Sequence, residues 1–535
     1  MRSKREQRWL SVAAVAAAGA VALTGCGSPS AAVGGAAAGT GSQGSTGEVD
    51  TNATMRVGAT VATSLDPVAA PEAVRTLMST WPVYDRLLQV TEDGQYAPML
   101  ATEWTFSDNG STLDLKLREG VTFTDGTPFN GDAVKANIDR YRAATGSASA
   151  TATAAISSVD VVAPNEVKLR LSRPTTTILN TIAIPIGGAM ISPKALGNAD
   201  LATKPVGTGA YVLESFEPGQ KITYKRRSDG NIWDTNAGKP AEVQIGAYAP
   251  DASNNAIRTG QLDVAQAGGG TTQLQSEIDS GKVIVRRQPT ASTVSGMFLN
   301  STIPALANIK VRQAINTALD RESLVAAFGE GQAARVQPFP STLPGFYEAG
   351  EKSYAYDVDA AKKLLAEAGY PNGLDLGEFL VANNGRMPAQ AQAIQAGLAE
   401  IGIQIGLRSV DILQLTTEYS KSNAPGMFTY MTSASLDPSA WFTWLYTSPL
   451  TLPGGTPEAM KPLLVGVDDS SLSDTERKAK AEAVNKFSVE NALYAPLMQG
   501  VTGMLITPKV GGTGTGNLPF TPFGVSDLRN VYITK

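Results

Sequence analysis

Apolar and polar positions follow two different periods along the chain. The segments 113–117 and 167–171 alternate apolar with polar residues, and this period of two predicts half-buried β-strands. The segment 132–141 instead places its apolar side chains on one helical face, and 359–368 is a helical pattern that ends before Gly369. Strand and helix patterns are mixed from residue 55 onwards, with no long internal repeat, which predicts the α/β class.

The first 26 residues follow neither period. Basic residues precede an apolar stretch of about 14 residues, which ends at Leu23-Thr24-Gly25-Cys26. This arrangement is typical of an export signal, and the stretch is shorter than the roughly 20 residues of a membrane-spanning helix. Its ending resembles a bacterial lipobox, which implies that residues 1–25 are a lipoprotein signal peptide and that Cys26 is lipidated. The alternative is a plain secretory signal with an incidental cysteine.

The residues that follow have a composition of their own. Residues 26–53 are rich in Gly, Ala, Ser and Thr and contain almost no large apolar residue, which predicts a flexible tether. Two or more acyl chains anchor a protein stably where a single chain does not. We therefore expect the protein to work at the extracytoplasmic face of the cell membrane, held there by its lipid anchor.

Charge and composition exclude several functions. The chain has 535 residues, with 44 Lys and Arg against 49 Asp and Glu, so a net charge of −5 offers no basic surface for nucleic acid. It has no His and one Cys, which excludes disulfides, imidazole or thiolate metal centres and every mechanism that needs a histidine base. We expect no cofactor and no such metal site, while an all-oxygen Ca²⁺ site stays open.

Three local motifs have more than one interpretation. The Gly-Thr-Gly sequence at 207–209 is similar to part of a dinucleotide-binding turn, but a strand-like segment follows it in place of a helix. The pair Asp468-Asp469 lies in a polar loop before a helix that opens with a capping box at Ser473, so solvated surface is the default interpretation. The segment 428–446 is the densest aromatic stretch, which predicts either a core or the lining of a ligand cavity.

Several segments, in order, resemble the extracellular solute-binding proteins of ABC transporters that include the oligopeptide-, dipeptide- and nickel-binding proteins. The strongest is 100–141, with the sequence LREGVTFTDGTPF, and 205–219, 308–328 and 356–373 carry further family patterns. The resemblance covers most of the chain after the tether. It implies an α/β, two-lobed periplasmic-binding-protein-like (Venus flytrap) fold with an extra subdomain in the first lobe.

The family pattern also implies where the domains lie. Lobe I is expected to comprise 54–90, 200–295 and 506–535, the extra subdomain 91–199, and lobe II 296–505. The lobes would close over a small-molecule or short-peptide ligand and deliver it to the transmembrane subunits of an ABC permease. The resemblance thus implies a monomeric binding protein and not an enzyme.

The ligand contacts that the resemblance implies are Trp441, Trp444, Tyr430, Arg386, Asp437, Tyr84 and Asn300. Trp441 matches the family aromatic at the end of the turn that contains Asp437, although this aspartate is more often structural in the family. The Arg386 guanidinium would suit a ligand carboxylate, and its alternative is a solvated loop arginine. Ala434 stands where dipeptide-binding relatives carry an aspartate for the ligand's α-ammonium, so a zwitterionic peptide lacks its usual partner.

Three functions other than peptide import stay open. The first is a receptor for a non-peptide solute such as an oligosaccharide, an opine or an organic acid. The second is an extracellular hydrolase that uses two carboxylates, which turnover of the substrate would distinguish from a receptor. The third is a sensory lipoprotein that presents the same fold to a partner protein.

Overall fold

A computed structural model of the protein describes residues 45–69, 73–91, 95–267, 271–287, 293–328, 333–341, 343–383, 386–432, 438–500, 503–513 and 527–535. All of them belong to one compact unit, Gly41–Lys535. The predicted signal peptide and Cys26 lie outside the described residues, as do Ala434 and Asp437. Within the described ranges, no helix is long and apolar enough to cross a membrane.

The chain alternates between strands and helices throughout. The strands are β1 (Thr54–Gly58), β2 (Leu88–Val90), β3 (Tyr96–Pro98), β4 (Ala101–Ser107), β5 (Thr112–Leu117), β6 (Ile156–Ala163), β7 (Glu166–Leu171), β8 (Tyr211–Glu217), β9 (Lys221–Arg226), β10 (Glu242–Gly246), β11 (Val264–Gln266), β12 (Ile284–Arg287), β13 (Thr293–Leu299), β14 (Ala333–Ala334), β15 (Leu374–Ala382), β16 (Ile403–Val410), β17 (Gly426–Thr432), β18 (Tyr494–Gly500), β19 (Gly503–Ile506), β20 (Val510–Gly511) and β21 (Tyr532–Ile533). The helices are α1 (Ala73–Thr80), α2 (Gly131–Ala143), α3 (Ala148–Ala152), α4 (Thr177–Ala183), α5 (Pro185–Gly188), α6 (Pro250–Arg258), α7 (Gln275–Asp279), α8 (Pro304–Ala307), α9 (Ile309–Thr317), α10 (Arg321–Phe328), α11 (Val358–Glu367), α12 (Met387–Glu400), α13 (Ile412–Lys421), α14 (Pro438–Thr447), α15 (Lys461–Leu464) and α16 (Asp474–Glu490).

Lobe I is built around a seven-stranded sheet. Its strand order is β12-β19-β11-β1-β10-β9-β8, and β1 pairs in parallel with both β10 and β11. Met55 and Val57 of β1 are buried in the lobe I core, whereas Arg56 between them is only partly buried, as the period of two in a strand requires. The carboxyl ends of three parallel strands therefore lie together in this lobe.

A second sheet organises lobe II, in the order β14-β18-β13-β17-β15-β16. Its central strand β13 is buried along almost its whole length, because elements of this lobe cover both faces of the sheet. Phe298 of β13 packs edge-on against Tyr494 of β18, with ring centroids 5.2 Å apart. Large rings thus fill the lobe II core.

The extra subdomain has its own antiparallel sheet, β4-β5-β7-β6, and its own core. The predicted strands at 113–117 and 167–171 are confirmed as β5 and β7. The predicted helix at 132–141 is α2, in which the Asn130 side chain caps the first turn by accepting from the backbone N–H of Ala133 at 3.0 Å. Its buried face packs on this sheet.

Two features adjust the domain boundaries expected from the sequence. The chain crosses between the two large sheets from Arg287 to Thr293 and again from Gly500 to Gly503, so β13 belongs to the lobe II sheet and β19 to the lobe I sheet. Residues 45–53 of the expected tether are attached to lobe I, because the backbone N–H of Ser45 donates to the carbonyl of Val510 at 2.9 Å. The tether stays a prediction for 26–44.

Candidate ligand-binding site

An aromatic cluster lies where α14 meets the lobe II sheet. Trp441 and Trp444 are three residues apart on this helix, and their rings meet edge to face with centroids 5.8 Å apart. Trp444 makes a second edge-to-face contact with Phe298 of β13, at 5.7 Å. Trp441 is buried, and its indole Nε1 has no hydrogen-bond acceptor among the described residues.

Tyr430 has a partly exposed ring close to Arg386. Its side chain projects from β17 and is 40% exposed, unlike those of the neighbouring core residues Phe428 and Met431. Desolvation nevertheless raises its pKa, and the smaller effect of the Arg386 guanidinium lowers it. The charge of Arg386 acts on the phenol, so Tyr430 lies near Arg386.

Arg386 connects the two lobes. It stands at the N-terminus of α12, and its Nη1 donates to the carbonyl of Phe328 in lobe II at 2.6 Å. Its Nη2 lies 3.5 Å from Oγ1 of Thr272 in lobe I, the outer limit of a hydrogen bond. The expectation from sequence did not include Thr272, because no local pattern marks a residue whose partner lies in the other lobe.

Tyr84 and Asn300 have structural roles. Tyr84 is 1% exposed in the lobe I core, and burial raises its pKa well above the ordinary value. The Asn300 amide donates to the carbonyl of Ala424 at 3.0 Å and accepts from the Thr302 backbone N–H at 3.0 Å. Both were expected at the cleft because of their places in the family pattern. Since the Tyr84 ring is buried in the lobe I core and the Asn300 amide is hydrogen-bonded within lobe II, we no longer propose them as ligand contacts.

The Gly-Thr-Gly sequence has a structural explanation. A Cβ atom on Gly207 would lie 1.9 Å from the carbonyl oxygen of Val83, so the backbones approach too closely for any other residue. The Thr208 hydroxyl donates to Oδ2 of Asp85 at 2.8 Å. Asp85 also accepts from Trp233 Nε1 at 2.6 Å. This turn therefore packs against other segments of lobe I.

Two buried aspartates of lobe I, Asp85 and Asp527, form ion pairs with arginines. Arg529 lies 2.9 Å from Asp85 and 3.0 Å from Asp527, and Arg86 lies 2.7 Å from Asp527. The two guanidiniums hold the pKa of Asp527 below its ordinary value although burial raises it. A carboxylate whose pKa two guanidiniums lower, like that of Asp527, is unsuited to general acid–base work near neutral pH. Among the described residues, no group of three or more acidic or Cys side chains could hold a metal ion.

A second contact between the lobes involves Asp468. Its carboxylate accepts from Arg173 Nη2 at 2.5 Å and from Thr175 Oγ1 at 2.7 Å, both in the extra subdomain. The side chain is 15% exposed. The interpretation of this residue as solvated surface is therefore wrong, because the loop sequence does not reveal the partner that approaches it in the fold.

Comparison with known proteins settles the family. The family model described as "Bacterial extracellular solute-binding proteins, family 5 Middle" matches residues 95–451, which is more than half of the chain. The chain belongs to this family. The glutathione-binding protein GsiB of Escherichia coli is 30% identical to the family 5 protein described here over 398 residues, covering 71% of this chain and 74% of the relative.

Solved structures of binding proteins share the fold. The periplasmic binding protein DppA of Helicobacter pylori, in complex with the peptide STSA, has a TM-score of 0.74 and 23% identity, covering 90% of this chain and 98% of that one. AgaA of A. tumefaciens R10, in complex with agropinic acid, has a TM-score of 0.75 and 22% identity, covering 90% and 99%. The expected two-lobed fold is confirmed.

Family membership fixes the broad function. The protein is a solute-binding protein of an ABC importer, not an enzyme, and it works outside the cytoplasm with a permease. The carboxylate-dependent hydrolase considered from the sequence is not favoured by this relationship.

Proposed function

We propose that the protein binds a short peptide or peptide-like solute with a free carboxylate between its lobes and delivers it to the permease. The observation that carries the proposal is Arg386, which reaches from lobe II towards Thr272 of lobe I beside the exposed ring of Tyr430. A guanidinium is a preferred partner of carboxylates because its N–H groups match both oxygens. A ligand acid at this position would contact both lobes together.

The aromatic cluster supports an organic solute. Ligand cavities are lined mostly by apolar and aromatic groups with a few polar ones. Trp441, Trp444 and Tyr430 supply such a lining, and the unpaired Trp441 Nε1 would offer a donor to a ligand carbonyl. Asp437 stays a proposed contact for a ligand cation, since Ala434 supplies no charge.

The named relatives favour peptides first. GsiB binds glutathione, and the DppA structure holds a tetrapeptide. An opine is the second candidate, because AgaA of the same fold binds agropinic acid. The recognition by Arg386 that we propose applies to any solute with a suitably placed carboxylate.

Isothermal titration calorimetry tests the proposal with four probes: glutathione, the peptide Ser-Thr-Ser-Ala, its C-terminal amide and agropinic acid. We expect at least one peptide acid to bind and the amide to bind at least tenfold more weakly. A thermal-shift screen gives an independent readout, because a ligand at 100-fold its Kd adds about 2.7 kcal/mol of stability. Binding of agropinic acid alone would favour the opine receptor, and equal binding of acid and amide would contradict the role of Arg386.

We further propose that Cys26 carries the lipid anchor and that the protein acts as a monomer on the cell surface. The signal sequence before Cys26 supports the anchor. The C26S variant is expected to lose incorporation of labelled fatty acid and to leave the membrane fraction. Retention of C26S on the membrane would contradict lipidation at this residue.

A further inference from the structure

A loop of lobe II, residues 465–473, docks on one end of the extra subdomain. At its centre is Asp468, whose carboxylate accepts from Arg173 and Thr175 as described above. The backbone carbonyl of Asp468 accepts from the backbone N–H of Thr176 at 2.8 Å. Asp468 therefore contacts three residues, Arg173, Thr175 and Thr176, on the segment that leads into α4.

A second point of contact lies two residues further along the loop. The Ser470 hydroxyl donates to the carbonyl of Gly110 at 2.7 Å. Gly110 has a φ of 82°, and a Cβ atom on it would lie 2.6 Å from the backbone N of Ser471. The turn between β4 and β5 thus approaches the loop so closely that only glycine fits there. We call the contacts of Asp468 and Ser470 with the subdomain the Asp468 latch.

The latch joins two bodies that have separate cores. Val206 packs against both the lobe I core and the subdomain core, so these two are coupled by apolar contacts. Among the described residues, the lobe II core shares no member with either of them. The latch therefore links lobe II to the body that carries lobe I.

The chemistry of the latch suits a reversible contact. Its partners are a carboxylate, a guanidinium, hydroxyls and backbone groups, and Arg173 is 59% exposed. Water can solvate all of these groups when the contact breaks, so opening leaves no apolar surface behind. A contact of this kind stabilises one arrangement of the lobes without fixing it permanently.

We propose that the arrangement of the lobes in this structure is the closed one, and that Asp468 is a positioning residue that holds it from outside the ligand site. Its contacts favour the closed arrangement before a solute arrives, and they slow the release of a solute that is already enclosed. This proposal depends on the two-lobed fold, which family membership establishes. The effect on solute release also rests on the proposed ligand class.

The first test measures the lobe positions without any ligand. Nitroxide labels on V162C in the subdomain and K478C in lobe II, in a chain whose single cysteine is changed by C26S, report the distance between the two bodies by pulsed electron paramagnetic resonance. Both label sites are exposed. We expect a short-distance population in the parent protein that falls about tenfold in D468N, since a hydrogen bond to a charged group is worth about this factor.

Matched variants separate the latch from general effects of charge. R173Q removes the partner guanidinium and is expected to act like D468N, while the double variant is expected to add little to either. D469N is the charge control: Asp469 accepts from Ser471 within its own loop at 2.9 Å, has no hydrogen bond to the subdomain among those described, and acts on Arg173 through its charge alone. D469N is expected to keep the parent distances.

The outcomes are separable from those of the ligand proposal. Absence of a short-distance population in the parent protein, or equal distances in the parent and D468N, would overturn the latch whether or not any peptide binds. Where glutathione binds the parent, its dissociation rate is expected to rise about tenfold in D468N, with an unchanged melting temperature of the free protein. An unchanged rate would also contradict the latch.

Discussion

Arg386 illustrates how a single side chain can serve two purposes. Its bond to the Phe328 carbonyl holds the guanidinium in place, and we propose that the same group also receives the carboxylate of a solute. A guanidinium held in advance loses less conformational entropy on binding than a free one. Preorganisation of this kind is what we expect of a specificity residue.

We predict that R386Q lowers the affinity for a carboxylate-bearing peptide by 10- to 100-fold, because a hydrogen bond to a charged group contributes about 1.5–3 kcal/mol. R386K is expected to recover part of the loss, since it restores the charge without the planar donors. Calorimetry measures both. R408Q is the matched control, because Arg408 pairs with Glu378 and Glu418 at the edge of the lobe II sheet. If R386Q weakens acid and amide ligands equally, the carboxylate is not its partner.

In helix α2, one buried polar side chain attaches the helix to a distant segment of the chain. Asn137 is 0% exposed, and its amide donates to the carbonyls of Ala133 and Ile191 at 2.9 and 2.7 Å. Its Oδ1 accepts from the backbone N–H of Ile191 at 3.0 Å. The side chain thus joins the helix to a segment more than fifty residues away in sequence.

We predict that N137A lowers the free energy of unfolding by about 2–4 kcal/mol, because it leaves the buried backbone N–H and carbonyl of Ile191 without their side-chain partner. Denaturant unfolding measures the change. K135A on the exposed side of the same helix removes an ion pair with Asp139 and is expected to cost less than about 1 kcal/mol. If N137A and K135A lowered the free energy of unfolding equally, the hydrogen bonds of Asn137 would not be what holds the helix in place.

Helices and strands whose apolar residues recur at a regular spacing were predictable from the sequence. The alternation at 113–117 gives β5, the face at 132–141 gives α2, and the capping box at Ser473 is present at the start of α16. These patterns depend on residues that are close in sequence. The close approach of Gly207 to Val83 was not visible, because it depends on how distant segments meet.

At the scale of the whole molecule, the sequence predicted the architecture better than the site. Family patterns along most of the chain predicted the two-lobed fold, whereas Thr272, which lies near Arg386, and Arg173, which pairs with Asp468, belong to the opposite body. Tyr84 matched a family position and is nevertheless a core residue. Contacts between lobes depend on their relative placement, which no local period encodes.

The absence of histidine and the burial of tyrosines predict how stability varies with pH. The chain has no histidine, the residue that ordinarily titrates between about pH 5 and 8. Burial raises the pKa of several tyrosines above the ordinary value of 10.0, and that of Tyr354 to about 12. The folded chain keeps these protons where the unfolded chain loses them, so unfolding becomes more favourable as the pH rises above about 10.

We therefore predict a melting temperature that is nearly constant between about pH 5.5 and 9 and falls above about pH 10. Tyrosinate absorbance near 295 nm is expected to rise together with unfolding and not before it. Calorimetry and absorbance on the same samples check both parts. Ionisation of most tyrosines in a protein that is still folded would show that these phenols are not buried.

The perpendicular pair Trp441 and Trp444, with centroids 5.8 Å apart, has a spectroscopic consequence. Indole transitions at this separation couple electronically, so the pair contributes a circular-dichroism signal in the near ultraviolet that depends on the angle between the rings. A solute that packs against either ring would alter this signal and the fluorescence of the pair. We therefore expect binding at the proposed site to change the near-ultraviolet circular dichroism and the fluorescence of this pair, which can be measured without an added label.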